Sequence, residues 1–191
     1  MSEYIKLKIT NPQELLSKFE LDSDINLSEN ANISDAITAL TSCNQYGDAI
    51  KLLAHGLPKR EAVWWACLAT RATQSDTADE NNVNALIATE DWVKKPSEEN
   101  LKRVNELSKA TKYETAASWA ATAAAWCTGS LTPEGEEPVA PPEYLYAHAV
   151  AGSILLASHE GDGESASQNE LLQLFLKQGL DLAKGGNGKV E

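Results

Sequence analysis

Two stretches, AVWWACLA at residues 62–69 and AASWAATAAAW at residues 116–126, carry no charged residue on any side. At 100° per residue each would turn an apolar surface through most of its circumference. A helix of that kind persists in water only when other helices cover it all round. Alanine supplies most of this surface and aromatics are only 6% of the chain, so the inner helices must pack through small side chains. Helix formers outnumber β-branched residues in every long segment. These features predict an all-α chain: a multi-helix bundle with both stretches at its centre. A length of 191 residues fits a single domain, 1–191, large enough for a sizeable core.

Stop and start signals divide the chain into about nine helices, arranged as antiparallel hairpins. Ile5 to Ile9 (IKLKI) alternates apolar residues with lysine, the period of a half-buried strand, and predicts a short extended N-terminal segment. Asn11-Pro12 opens a short helix through Phe19. Residues 20–32 form a polar loop. There Asp22, Asp24 and Asn26 begin like a calcium loop, but Leu27 and Ile33 replace the required glycine and glutamate. Ser34-Asp35 caps a helix through Ser42, and another runs from Gln45 to His55. Gly56 ends that helix and Pro58 starts the next, so short a link implying antiparallel neighbours. Further helices are expected from Asp76 or Thr77 to Lys94, from Ser97 to Ala110, and over 112–128, 142–159 and 166–184. A proline-rich surface linker covers about 129–141, and GGNGKVE, residues 185–191, reads as a flexible tail. A 54-residue shift aligns Trp65 with Trp119 and suggests duplicated helical hairpins, although no known repeat signature fits.

The net charge of −12 argues against nucleic acid and anionic membranes as partners. Between Lys112 and Lys177 there are nine acids and no Lys or Arg, an acidic region suited to a basic protein partner. MSEYIKLKIT has no apolar core of a secretory signal, and neither of the longer uncharged stretches, 115–133 and 144–158, suits a bilayer. The expected location is therefore cytoplasmic. Cys43, Cys67 and Cys127 share no metal or redox spacing and read as reduced, buried thiols.

On the helix that follows Pro58, Arg60, Trp64, Cys67 and Arg71 fall on one line, bracketed by charge at both ends. Glu61, Trp65, Leu68 and Ala72 fall on the next. Trp65 is accordingly core, whereas Arg60, Trp64 and Arg71 form a candidate protein-binding patch, because Trp and Arg are enriched at interface hot spots. Arg60 and Glu61, if buried, would make a polar pair inside the bundle. Trp119 and Trp126, seven residues apart, share a face assigned to packing. His148 and His159 stand eleven residues apart, too far along a helix to hold one zinc ion, and His55 stands alone near a helix end. Nucleophile, phosphate-loop and dinucleotide motifs are missing. No catalytic residue, metal ligand or cofactor is assigned.

The twelve residues LPKREAVWWACL resemble an L-P-x-R-E-A-V-W-W-A-C motif of an uncharacterised family of small bacterial proteins, and YETAASWAATAAAW is similar to that family's second helical block. The resemblance places such proteins near type VI secretion genes and implies an accessory or adaptor role. The leading expectation is a non-enzymatic protein-binding module, its second contact region in the proline-rich linker. An acidic immunity or inhibitor protein that neutralises a basic toxin is the alternative. An enzyme with an unrecognised helical active site is the third reading. The partner, the oligomeric state and any ligand between helices stay open at this level.

Overall fold

The computed structural model describes residues 4–9, 11–75, 78–133, 135–160 and 166–190. Among the described residues there are nine α-helices and no strand: α1 (Pro12–Leu16), α2 (Ile33–Ser42), α3 (Tyr46–Gly56), α4 (Lys59–Thr73), α5 (Glu80–Lys94), α6 (Glu98–Ala110), α7 (Ala116–Thr128), α8 (Leu145–Glu160) and α9 (Gln168–Ala183). The chain is thus an all-α bundle. None of the described helices is long and apolar enough to cross a membrane.

Helices α4, α7 and α8 pack on one another and form the centre. Helices α5 and α6 cover α7, while α3 and α9 cover α8. The alanine content of α7 is what permits this. Ala116, Ala120, Ala121, Ala123 and Ala124 are all fully buried, and with no bulk beyond Cβ the neighbouring backbones approach closely. Buried hydroxyls satisfy themselves on helix carbonyls, as the low dielectric demands. Thr89 Oγ1 donates to Ala85 O at 2.7 Å, Thr122 Oγ1 to Ser118 O at 2.8 Å, and Ser153 Oγ crosses from α8 to Ala116 O at 2.8 Å.

Helix starts are set by side-chain caps. Reciprocal capping boxes join Asn32 with Asp35, Thr115 with Ser118, and Ser167 with Glu170. The cap of α2 is therefore Asn32, two residues before the expected Ser34. Helix α5 starts behind Asp79, whose carboxylate accepts from Asn81 N; the expected caps Asp76 and Thr77 lie outside the described residues. Helix α7 starts at Ala116 because Lys112 and Tyr113 take left-handed backbone conformations (φ 57° and 60°), which no helix continues.

Three expectations are corrected. Helices α3 and α4 make little contact, although only Leu57 and Pro58 separate them. Both residues are extended (ψ 146° and 150°), so the chain turns a corner and each helix packs on α8 and α9. Residues 4–9 do not alternate as a strand: Leu7 N–H donates to Tyr4 O at 3.3 Å, closing a turn that buries Tyr4 and Leu7 and leaves Ile5 67% exposed. Lys6 N–H then anchors this turn to Ala183 O at the end of α9. The segment after α9 is not a free tail. Asp181 accepts Gly188 N–H on its carboxylate (2.8 Å) and Gly186 N–H on its carbonyl (2.9 Å), which folds residues 185–188 back onto α4. Gly188 is buried at φ +75°, a conformation that suits glycine.

The loop before α2 is organised by a buried carboxylate. Asp48, 2% exposed, accepts from Asp22 N (2.8 Å), Ser23 N (3.0 Å) and Ser23 Oγ (2.6 Å). Asp22 itself pairs with Lys51 at 2.6 Å. The first aspartate of the failed calcium pattern, Asp22, is thus paired with a lysine.

Candidate functional site

The two neighbouring tryptophans of α4 separate as the helical wheel requires. Trp65 is fully buried, its Nε1–H donating to Phe175 O of α9 at 2.6 Å. Its indole lies against Gly179, where an added Cβ would stand 2.6 Å from Cε2 and Cζ2. Trp64 is half-buried and its Nε1–H donates to Asn187 O at 3.0 Å.

Arg60, Trp64 and Arg71 do share one side of α4, but each is spent on the protein itself. Arg60 donates from Nε and Nη2 to Val93 O (3.1 and 2.6 Å). Arg71 donates from Nε and Nη2 to Glu90 Oε1 (3.2 and 2.9 Å) and from Nη1 to Gln74 Oε1 (3.3 Å). The two arginines stitch α4 to α5, and the indole between them holds the C-terminal segment. The expected polar pair is also corrected. Arg60 is exposed, and Glu61 pairs instead with Lys6 at 3.4 Å, its side chain 29% exposed. Successive helix positions point 100° apart, so the two side chains have different neighbours.

A different surface is open. Tyr113, Leu131 and Val139 are 45%, 44% and 48% exposed, three of the four large exposed hydrophobics among the described residues. Tyr113 and Leu131 line, together with Trp126, a cleft of about 470 Å³ between α6, α7 and the 130–139 segment, and Val139 follows the lining residue Pro138. A row of rings runs along α7: Tyr113 to Trp119 at 6.1 Å between centroids, then Trp119 edge-on to Trp126 at 6.2 Å. Trp119 Nε1–H donates to Tyr113 O at 3.0 Å, which fixes the first two rings on the left-handed turn. Both tryptophans are half-buried, so Trp119 is not the counterpart of buried Trp65 that the 54-residue offset suggested.

The proline-rich segment forms the other wall and is internally bonded. Leu131 N–H donates to Val139 O (2.9 Å), Val139 N–H to Ser130 Oγ (2.9 Å), and Thr132 Oγ1 to Glu137 O (2.8 Å). These bonds hold Leu131 and Val139 outward on a defined loop. Glu98, Glu106 and Glu136 line the cleft with Lys102 and Lys109. The signal for this surface was present in the sequence. A helix with alanine at nearly every position except two tryptophans seven apart packs its alanine sides against neighbours, so the tryptophan side is the one left over.

The second cleft, about 350 Å³, lies where α1, α3 and the start of α4 meet. His55 borders it and does not stand alone. Its ring stacks between Phe19 (4.5 Å) and Tyr144 (5.9 Å) and meets His148 edge-on at 4.7 Å. Nδ1 lies 2.7 Å from Lys51 O. A carbonyl only accepts, so Nδ1 carries the proton and Nε2 is an acceptor. Burial holds the ring's pKa down at about 4. Among the described residues no three His, Cys, Asp or Glu side chains group as metal ligands. Burial also raises the Cys67 thiol pKa and pushes that of Cys127 to about 12, so neither is a nucleophile near neutrality. Cys43, expected to be buried, is exposed at the C-terminal cap of α2.

Residues 36–183 match the model of a family of unknown function, DUF6931. No curated protein and no solved structure matches the chain.

Proposed function

The chain belongs to the DUF6931 family, whose description assigns no activity, and from the geometry above we propose that this member is a protein-binding module. Its contact surface is the cleft between α6, α7 and the 130–139 loop. The observation that carries the reading is that exposed Tyr113 and Leu131 line one cleft together with Trp126. Large exposed apolar residues scattered singly need no account, but a contiguous group around a groove marks an interaction site. Aromatic anchors of this kind dominate binding energy. The partner is a basic protein segment with an apolar anchor. Glu136 and Glu137 stand on the loop itself, inside the stretch without Lys or Arg that runs from Lys112 to Lys177. An accessory role beside a type VI secretion apparatus is the setting that the family resemblance of the α4 motif suggests. Neutralising a basic toxin is a special case of the same acidic surface, marked by a steep loss of affinity between low and physiological salt.

A photo-reactive residue at Leu131 tests the assignment against one at Arg71. In extracts of the source cell, Leu131 should trap one protein that Arg71 does not. The purified partner should then lose at least tenfold in affinity to the Trp126→Ala chain, with melting changed by only a few degrees. Undiminished binding by Trp126→Ala and Leu131→Ala chains, together with loss on changing α4, would refute the proposal.

A further inference from the structure

The cleft beside His55 shares no residue with the surface above and stands independently of it. Its floor is the corner between α3 and α4, where Gly56, Leu57 and Pro58 open onto it. Helix α4 begins there without a side-chain cap, so the positive end of a fifteen-residue helix faces the space. Three lysines border it, Lys8, Lys18 and Lys59, against two carboxylates, Glu14 and Glu143. That is a local positive surplus on a chain of net charge −12. Lys59 spends one N–H on Cys127 O (2.6 Å) and keeps two, with its ammonium 5.6 Å from the Tyr146 ring centre.

An anion alone does not account for the site, because His55 adds the opposite demand. It is 3% exposed and its Nε2 has no hydrogen-bond partner. With Nδ1 committed to Lys51 O, Nε2 at the tip of the ring asks for a donor. A buried acceptor left unmet destabilises the fold, so a donor supplied there is favoured. A ligand that suits both features carries negative oxygens and a hydroxyl on one compact group.

We propose that this cleft binds a phosphate group that retains a proton, its P–OH donating to His55 Nε2 and its charged oxygens lying at the start of α4 towards Lys18 and Lys59. Sulfate has the same shape but no proton near neutrality, so it would turn lone pairs towards the lone pair of Nε2. The site therefore discriminates between the two anions. The cleft exceeds a bare phosphate and leaves room for a small ester group.

The full chain is titrated calorimetrically with inorganic phosphate and with sulfate at pH 7 and constant ionic strength. Phosphate should bind at least tenfold tighter than sulfate. Lys8→Gln with Lys18→Gln should weaken phosphate severalfold. His55→Phe, which keeps a ring in the stack, should abolish the preference. The ¹⁵N resonance of His55 Nε2 gives a readout without substitution, moving with phosphate and staying with sulfate. Glycerol phosphate at about pH 6, where much of the ester keeps a proton, separates sources: tighter binding than inorganic phosphate makes a monoester the ligand, weaker binding makes it free phosphate. Equal affinity for phosphate and sulfate in the native chain overturns the proposal, as does no saturable phosphate binding.

Discussion

Replacing Gly179 by alanine adds one methyl group where α9 crosses the indole of Trp65. The new Cβ would stand 2.6 Å from Cε2 and Cζ2 and 2.8 Å from Leu53 Cδ2, against an optimum of about 3.5–4.0 Å for two carbons. Three contacts are thus short by roughly an ångström, and the indole cannot readily retreat. Its Nε1–H is held on Phe175 O of the same helix, and Trp65 is fully buried. Overpacking of this sort costs about 1–3 kcal/mol, sometimes more. The better helix propensity of alanine returns about 1 kcal/mol. A clash at the upper end of the range therefore leaves a net loss of about 2 kcal/mol. For a domain of this size that lowers the melting temperature by about 4–8 °C. Thermal and urea unfolding of the two chains measure the loss, and Trp65→Phe in each background isolates its origin. The smaller ring relieves the crowding, so the double variant should be at least about 1 kcal/mol more stable than the sum of the single changes implies. Additive losses, or a Gly179→Ala chain that melts at or above the native temperature, would show that α9 and the indole do not meet as described.

The two tryptophans of α4 should respond differently: Trp65→Ala loses about 3–5 kcal/mol in urea unfolding. Trp64→Phe, by contrast, loses only the bond to Asn187 O, about 1 kcal/mol, and its mark is faster tryptic cleavage at Lys184 and Lys189. His55 makes stability depend on pH with a defined sign. Its folded pKa lies near 4, below the ordinary value of 6.5, so the unfolded chain binds the extra proton. Its share of stability is complete above about pH 6.5 and declines as pH falls towards 4, by about 3 kcal/mol at most. His55→Phe should flatten that part of a urea-denaturation profile, and an unchanged slope would remove burial as the cause.

Much of the fold was legible because alanine-rich, uncharged stretches have few alternatives to an inner helix, and both take central places as α4 and α7. Several helix ends were legible too, since Ser97 and Pro58 act locally. The turn at Ile5 was not, because its geometry follows from a long-range bond between Lys6 N and Ala183 O. The site was legible only in part. The wheel separated Trp64 from Trp65 correctly, yet it has no term for what lies opposite a face. Val93 O, Glu90 and Asn187 O occupy that space and come from elsewhere in the chain. The 130–139 loop was seen as a second contact region, but its side-chain bonds from Ser130 and Thr132 are invisible to turn statistics.

The alanine interior of α7 has a thermodynamic side. Alanine gives up no rotamer freedom when it is enclosed, so ordering this helix draws almost solely on backbone entropy, and its methyl groups have only one way to sit. The alanine face of α7 has no long side chain of its own to swing aside and absorb a new neighbour. Enlarging any one of Ala120, Ala121 or Ala124 should move whole helices apart, whereas Trp119 and Trp126 can change shape while the remainder of the bundle keeps its spacing.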